Sequence, residues 1–318
     1  MKLGLFDPIY GSLAFEPMLD RIVQHGLEAV ELACGSYPGD RHCRPAALLA
    51  DRGELQRFQA ALETRGLIVS ALSCQGNPLH PDASRAADDD AVFRDTIRLA
   101  SVLEVDVVNV FSGNPGGGPG AKEPNWVTCT WPPEYRAILD WQWDAVVLPY
   151  WQDAAAFARQ HGVKVAVEMH PGFVVYNPRT LLRLRSAVGE TVGANMDPSH
   201  LFWQGIDPLL AVRDLTGAIF HVDAKDTALQ PHNIARNGVL DQPAPEGPGE
   251  RPWMFRSVGD GHDLLFWKQF VGALRFAGYD GVISIEHEDA LASADEGISR
   301  AIATLRAAIL SEPATASW

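Results

Sequence analysis

Short, continuous apolar runs alternate with amphipathic segments along most of the chain. Runs of this kind predict β-strands that are buried on both faces, as in a parallel sheet. Eight such strands are predicted, at residues 3–6, 29–33, 68–73, 106–111, 163–169, 192–196, 218–222 and 282–285. Several intervening segments, such as "EPMLDRIVQHG" and "ELQRFQAALETRG", have helical spacing of their apolar residues and end in glycine, which predicts α-helices between the strands.

The regular alternation of strands and helices predicts βα units and a parallel sheet. Eight units in 318 residues predict a closed (β/α)8 TIM barrel that forms a single α/β domain over residues 1–318. A doubly wound open sheet is the alternative, but it would favour a G-x-G-x-x-G loop after the first strand, and "LFDPIYGS" contains none. Residues 112–143 and 227–257 interrupt the alternation and predict long loops after strands 4 and 7, at the end of the barrel where active sites lie.

The composition favours a soluble protein with a large core. Hydrophobic residues make up 47% of the chain, and the formal net charge of −14 at pH 7 argues against nucleic acid as a partner. The four cysteines form no C-x-x-C pair and are expected to be free thiols in a reducing cytosol. The N-terminal apolar run is too short for a signal peptide, and no run is long enough to cross a bilayer. We therefore expect a cytoplasmic protein with no membrane partner.

The last four predicted strands each end in acidic or basic side chains. These residues are Glu168 and His170, then Asp197 and His200, then His221, Asp223 and Lys225, and finally Glu286. Because strand ends converge at the mouth of a barrel, we expect these side chains to lie close together. Two like charges about 4 Å apart repel by about 4 kcal/mol even at an effective dielectric constant near 20, and a divalent cation removes this conflict.

A divalent metal site is therefore predicted, with open positions for water or substrate and four ligands: Glu168, Asp197, His221 and Glu286. Three oxygen ligands and one imidazole favour Mn²⁺, with Mg²⁺, Co²⁺ and Zn²⁺ as alternatives. Each residue alone has a simpler explanation, because Asp197 before Pro198 could cap a helix and His221 could be a core histidine. The repetition on four successive strands favours the metal site.

Five segments of the chain resemble one known family. They read "VAVEMHP", "MDPSHLFWQGIDP", "FHVDAKD", "SVGDGHDLLFW" and "GYDGVISIEHED". Through them the chain is similar to the xylose isomerase-like TIM barrel superfamily, in its sugar phosphate isomerase/epimerase branch. Relatives there include ketose 3-epimerases, hydroxypyruvate isomerase, inosose dehydratase and endonuclease IV. The resemblance implies a divalent metal held by Glu, Asp, His and Glu, which match the four ligands predicted above.

The resemblance also implies substrate contacts and an assembly. It implies that His200 contacts the substrate, and that Arg256 matches the arginine that the family has before a Gly-x-Gly turn. Ketose epimerases usually carry another arginine after the metal histidine. This chain has "HVDAKD" there, so Lys225 is expected to bind the substrate instead. Barrels of the family commonly pair, which implies a homodimer or homotetramer.

Further residues are candidates for binding the substrate. His170, His200, Asp223 and Lys225 lie at the same predicted rim and are expected to contact sugar hydroxyls or to orient the metal ligands. Trp126 lies in the loop that begins "SGNPGGGPGAKEPNW" and could stack on a sugar ring. The tryptophans of this loop could equally form a dimer contact or a hydrophobic cover.

The predicted function is a divalent-metal-dependent isomerase or epimerase acting on an unphosphorylated keto-sugar or related polyol. The metal polarises a carbonyl, and Glu168 and Glu286 are the catalytic residues that transfer a proton through an enediolate. Return of the proton to the opposite face gives an epimer, and return to the neighbouring carbon gives an isomer. The alternatives are a metal-dependent lyase or dehydratase acting on a keto-sugar or 3-keto-glycoside by β-elimination, a nuclease like endonuclease IV, which the acidic charge opposes, and a sugar-binding barrel without activity.

Overall fold

Eight parallel strands close into a barrel in the computed structural model, which describes residues 1–241 and 248–312. The barrel strands are β1 (Lys2–Phe6), β2 (Ala29–Ala33), β3 (Ile68–Ser73), β4 (Val107–Val110), β5 (Lys164–Glu168), β6 (Val192–Met196), β7 (Ile219–Ala224) and β10 (Val282–Ile285). Around the barrel they follow the order β1-β10-β7-β6-β5-β4-β3-β2, and neighbours are parallel. The predicted (β/α)8 TIM barrel is confirmed.

Helices lie around the barrel, and most of them cover its outer face. They are α1 (Phe15–Gln24), α2 (Pro45–Ala50), α3 (Arg52–Thr64), α4 (Ala83–Leu103), α5 (Pro133–Trp141), α6 (Leu148–Gln160), α7 (Pro178–Val188), α8 (Ser199–Phe202), α9 (Pro208–Asp214), α10 (Pro231–Asn237), α11 (Leu264–Phe276) and α12 (Ala294–Ala308). Their apolar faces and the outward-facing side chains of the strands form one continuous hydrophobic core. In the part of the chain that the structure describes, none of the helices combines the length and the hydropathy that crossing a membrane requires.

Both segments predicted as long loops contain secondary structure of their own. The first, 112–143, includes α5 and leads into a π-helical turn at Gln142–Val147. The second includes α10 and an antiparallel hairpin formed by β8 (Asp226–Leu229) and β9 (Trp253–Arg256). Residues 242–247 of this second segment, and residues 313–318 at the end of the predicted domain, lie outside the described residues.

Buried side chains fix both segments beside the barrel mouth. Gln142 donates from Nε2 to three carbonyl oxygens of the first segment, at 2.7 to 3.3 Å. Asp226 accepts three backbone N–H groups from residues 259–262, at 2.9 to 3.2 Å. A Cβ at Gly261 would lie 2.5 Å from Oδ1 of Asp226, so this close approach requires glycine.

The interior of the barrel contains a polar layer, although bulky branched residues usually fill this space in TIM barrels. Its fully buried members come from β2, β3, β4, β6 and β7: Glu31, Ser73, Asn109, Asn195 and His221. They hydrogen-bond to one another across the barrel axis. Hydrogen-bonding groups therefore lie directly below the barrel mouth.

Candidate active site

A cavity of about 410 Å³ opens at the C-terminal end of the barrel. One side of its lining is polar and contains five predicted site residues: Glu168, His170, His200, Lys225 and Glu286. The other side is largely apolar and is formed mainly by Phe6, Ile9, Tyr37, Pro38 and Phe111. The polar residues lie at the end of β5, in α8 after β6, or just beyond the ends of β5, β7 and β10, whereas the apolar residues lie at the ends of β1, β2 and β4 or just beyond them. The two sides of the cavity therefore come from opposite halves of the barrel.

His200 links two of the predicted metal ligands. Its Nε2 lies 3.2 Å from Oε1 of Glu168 and 3.2 Å from Oδ2 of Asp197. Burial lowers the pKa of His200, but the carboxylates of Asp197 and Glu168 outweigh burial and raise this pKa to about 9. Asp197 also accepts hydrogen bonds from the backbone N–H and the hydroxyl of Ser199, at 2.7 and 2.8 Å. Asp197 therefore organises the local turn in addition to facing His200.

His170 packs against His200 at the wall of the cavity. The two ring centroids are 4.1 Å apart, and Nδ1 of His170 donates to the carbonyl oxygen of Pro171 at 2.6 Å. Nε2 of His170 is thereby left with a free lone pair. Burial, and after it the positive charge of His200, holds the pKa of His170 well below its ordinary value. Glu168, His170 and His200 offer ligand atoms within 4.8 Å of one another, so these three residues could hold a metal ion.

Lys225 is a buried ammonium group among carboxylates. Its Nζ lies 2.9 Å from Oε1 of Glu286 and 3.1 Å from Oε1 of Glu288. The ring of Phe255 lies beneath this ammonium group, with 4.2 Å between Nζ and the ring centroid. Burial lowers the pKa of Lys225, but Glu286 and Glu288 outweigh burial and raise this pKa above its ordinary value. Lys225 therefore stays charged and fixes the position of Glu286.

Asp223 lies among the carboxylates of the site. Burial raises the pKa of Asp223 well above its ordinary value, and four neighbouring carboxylates raise it further. These neighbours are Glu31, Glu286, Glu168 and Asp197. Oδ2 of Asp223 accepts a hydrogen bond from Asn195 at 2.5 Å, whereas Oδ1 has no hydrogen-bond partner among the described residues. A buried carboxylate in these surroundings requires either a proton or a cation.

His221 lies one inward-facing position below Asp223 on β7. Its Nδ1 is 3.3 Å from Oδ1 of Asp223, and its Nε2 is 3.8 Å from Oε2 of Glu31. Glu31, His221 and Asp223 offer ligand atoms within 4.8 Å of one another and form a second group that could hold a metal ion. The structure therefore brings His221 together with Glu31 and Asp223, and none of the other three predicted ligands belongs to this group.

Besides Asp223, two predicted substrate-binding residues lie outside the cavity lining. Arg256, on β9, pairs through Nε with Oδ2 of Asp289 at 3.1 Å and through Nη2 with Oδ2 of Asp260 at 3.6 Å. Trp126 packs edge-on against Tyr176, with ring centroids 5.4 Å apart, and lines a separate cavity of about 370 Å³. Neither Arg256 nor Trp126 lies beside the carboxylates of the cavity, so the contacts predicted between these two residues and a substrate stay predictions.

The apolar side of the cavity was not predicted from the sequence, and neither were Glu31 and Gln75 among the polar residues. Glu31 is fully buried on β2, and its Oε1 accepts hydrogen bonds from Ser73 at 2.5 Å and Asn109 at 2.8 Å. Gln75, just beyond β3, donates from Nε2 to Oε2 of Glu168 at 3.3 Å. A signal for Glu31 was present, because a glutamate interrupts the otherwise apolar run "AVELA". Gln75 is an uncharged residue beyond its strand, and no spacing distinguished it.

Phe111 provides a test of which aromatic residue faces the substrate. It lines the cavity, and its ring stacks on that of Phe173 with centroids 4.3 Å apart. With a substrate in hand, we expect Phe111→Ala to raise KM about tenfold, equivalent to ~1.4 kcal/mol of lost binding. Trp126→Ala is the matched control and should change KM by less than about twofold, because Trp126 lies outside this lining. A larger effect in Trp126→Ala than in Phe111→Ala would favour the sugar platform predicted for the tryptophan loop.

Comparison with known proteins agrees with this architecture. A family model described as xylose isomerase-like TIM barrel matches residues 19–308. The Bacillus subtilis (strain 168) protein YfiH is 40% identical over 312 residues, which cover 97% of this chain and 99% of that protein. The match therefore extends over both chains almost completely.

Solved structures agree in fold at low sequence identity. The crystal structure of the IolI protein with a zinc atom has a TM-score of 0.66 and 18% identity, and the alignment covers 97% of this chain and 98% of that one. A D-tagatose 3-epimerase-like protein has a TM-score of 0.64 and 19% identity, with 97% and 98% covered. The resemblance predicted from the sequence is confirmed, and this chain belongs to the xylose isomerase-like TIM barrel family.

Proposed function

We propose that this chain is a divalent-metal-dependent isomerase or epimerase that acts on a keto-sugar or related polyol. The observation that carries the proposal is the convergence of carboxylates from four successive barrel strands at and beneath one cavity. They belong to Glu168, Asp197, Asp223 and Glu286. Similarity in fold to a D-tagatose 3-epimerase-like protein supports this choice of reaction and of substrate class.

The donor set of the site fits a divalent cation. Oδ1 of Asp223 is buried without a hydrogen-bond partner in the described part of the chain, and a cation would relieve the repulsion among the carboxylates. The proposed ligands are Glu168, Asp197, Asp223 and Glu286. Asp223 takes the place that the sequence assigned to His221, because His221 lies deeper in the barrel. An oxygen-rich set favours Mn²⁺, with Mg²⁺, Co²⁺ and Zn²⁺ as alternatives, and the zinc atom in the IolI structure supports a metal in this fold.

Glu168 and Glu286 are the proposed acid and base. They line the cavity from β5 and β10, which β6 and β7 separate, so their carboxylates can approach a substrate from different sides. Gln75 and His200 hold Glu168 in place, and Lys225 holds Glu286. A bound metal would polarise the carbonyl and acidify the neighbouring C–H group. One carboxylate removes this proton, and the other returns a proton to the opposite face or to the neighbouring carbon.

The remaining polar residues of the cavity are proposed to bind substrate hydroxyl groups. Nε2 of His170 can accept a hydrogen bond, and Nζ of Lys225 can donate one. The assembly as a homodimer or homotetramer and the cytoplasmic location are further proposals, which rest on the family resemblance and on the composition.

A metal-dependent lyase is the second candidate function. The observation that favours it is the position of His200, which lines the cavity with its Nε2 3.2 Å from Oε1 of Glu168, one of the two proposed acid–base groups. A protonated imidazole can donate its proton to a departing hydroxyl or alkoxide group while a carboxylate removes the C–H proton. The substrate would then be a keto-sugar or a 3-keto-glycoside that carries its leaving group β to the carbanion.

Deuterium exchange tests the proposed function. The metal-loaded protein is incubated in D₂O with a panel of keto-sugars, inososes and 3-keto-glycosides, and the products are identified by NMR and mass spectrometry. We expect deuterium at the carbon next to the carbonyl of an epimer or isomer, whereas loss of the β-substituent would identify the lyase. Full metal occupancy with no exchange into any member of the panel would contradict proton-transfer chemistry.

A further inference from the structure

Three buried side chains below the cavity form a group of which the proposed reaction uses only Asp223. Glu31 of β2 and His221 and Asp223 of β7 are 0%, 1% and 1% exposed. Their ligand atoms lie within 4.8 Å of one another. Since β1 and β10 separate β2 from β7, the three side chains meet in the barrel interior and not along one strand pair.

Each carboxylate of this group has hydrogen bonds on one oxygen only. Oε1 of Glu31 accepts from side chains of β3 and β4, and Oδ2 of Asp223 accepts from Asn195. Oε2 of Glu31 and Oδ1 of Asp223 are buried and have no hydrogen-bond partner in the described part of the chain. Oε2 of Glu31 lies 3.8 Å from Nε2 of His221, and Oδ1 of Asp223 lies 3.3 Å from Nδ1 of the same ring. Two unpartnered carboxylate oxygens therefore face the same imidazole.

No lysine or arginine pairs with this group within residues 1–241 and 248–312. Lys225, the cation of the site above it, pairs with Glu286 and Glu288. Buried carboxylates that lack a counter-charge cost several kcal/mol each, and this cost is removed either by a proton or by a bound cation.

We propose that Glu31, His221 and Asp223 form a second divalent-cation site in the barrel interior, below the catalytic metal. Two carboxylate oxygens and one imidazole nitrogen are ligand types that Zn²⁺ and Co²⁺ accept, and they leave one tetrahedral position for a water molecule. Nε2 of His221 faces Oγ of Ser70 at 3.3 Å. A neutral partner of this kind commonly orients a ligating histidine. Nδ1 of His221 contacts the side-chain amides of two asparagines at 3.1 Å, and an ion bound to Nδ1 would replace these contacts.

Asp223 connects the two sites. It belongs to the interior group, where its unpartnered Oδ1 faces His221, and the charges of Glu168, Asp197 and Glu286 also act on it. One carboxylate that bridges two cations satisfies both sites with fewer buried negative charges than two separate ligands would need. The second site depends on Glu31 and His221, which the proposed reaction does not use, so the two proposals can fail independently.

Zinc stoichiometry tests the second site. The full-length protein is loaded with Zn²⁺, passed through a desalting column and analysed for zinc per chain. We expect two equivalents in the unmodified protein and one in Glu31→Gln, because the amide removes the negative charge from the interior group. Glu168→Gln should also retain one, bound at the interior site. Glu288→Gln makes the same chemical change at the cavity rim, outside both groups, and should retain two.

The outcomes separate this inference from the proposed function. If the unmodified protein and Glu31→Gln both hold one equivalent of zinc, the second site is overturned, and a proton on Asp223 takes the place of the ion. This result would not affect the proposed function. Alternatively, the unmodified protein could hold one equivalent of zinc that is lost in Glu31→Gln and kept in Glu168→Gln. This result would support the interior site and contradict the upper metal, on which the proposed function depends.

Anomalous scattering keeps the test decisive if Glu31→Gln does not fold. Crystals of the zinc-loaded, unmodified protein measured at the zinc absorption edge should show two peaks, one of them between Glu31, His221 and Asp223. A single peak near Glu168 and Asp197 would overturn the inference.

Discussion

Glu168→Gln is expected to lower kcat by about a thousandfold, the effect typical of losing a general acid or base. Glutamine preserves the shape of the side chain, but it cannot accept the substrate proton. The change also removes one carboxylate from the proposed metal site and one of the two carboxylates that face His200. The measurement is the rate of deuterium incorporation into the substrate at saturating concentrations of substrate and metal.

Glu288→Gln is the matched control for this prediction. Glu288, like Glu286, contacts Lys225, but the Glu288 side chain is half-exposed at the rim of the cavity. Loss of its charge should therefore change kcat by less than about threefold. The metal occupancy of Glu168→Gln separates the two roles of Glu168. Recovery of kcat when the site is refilled would make Glu168 a metal ligand only, and a persistent loss would support proton transfer. Full activity and full metal occupancy of Glu168→Gln without added metal would contradict both roles.

Lys225→Met is expected to lower the free energy of unfolding of the metal-free protein by about 3 to 5 kcal/mol, because it leaves Glu286 without its buried counter-charge. Methionine approximately replaces the volume of the lysine stem, so the loss reports mainly on charge. A divalent cation supplies positive charge to the same carboxylates, and we expect saturating Mn²⁺ or Zn²⁺ to recover much of the loss. Urea unfolding in chelator and in metal measures both quantities.

Lys164→Met is the control for the lysine substitution. Lys164 is exposed at the start of β5, at the other end of the barrel, where its Nζ lies 5.2 Å from the ring centroid of Phe220. Its replacement should cost less than about 1 kcal/mol, with or without metal. An equal loss for Lys225→Met in chelator and in metal would mean that Lys225 acts through packing. The proposed link between this lysine and the metal carboxylates would then be wrong.

The barrel could be predicted because buried parallel strands are continuous apolar runs separated by helical spacing. The bounds of β2, β3, β6 and β10 are those predicted, and the other strands differ at their ends. β4 was predicted over 106–111 but ends at Val110, where Phe111 leaves the sheet and lines the cavity. The β8–β9 hairpin was not predicted, because its strands pair across a segment rich in proline and glycine that has no regular period.

The sequence indicates which strand carries each charged residue, but it does not indicate how deep the side chain lies. Depth depends on the tilt and stagger of the strands, which exist only once the barrel has closed. His221 and Asp223 lie two residues apart on β7, yet His221 meets Glu31 and Asp223 lies among the upper carboxylates. Arg256 meets Asp289 through the β8–β9 hairpin, so its ion pair could not be read from local spacing.

The separation of charged and aromatic walls restricts how a ring-shaped substrate can lie in the cavity. For the proposed reaction, the carbonyl of the substrate would face Glu168 and Glu286, and its least hydroxylated edge would face Phe111 and Tyr37. In the proposed reaction, the aromatic wall would then help to decide which face of the reacting carbon lies toward each carboxylate. Substitutions in the aromatic wall are accordingly the place to seek variants that make a different stereoisomer with unchanged acid–base groups.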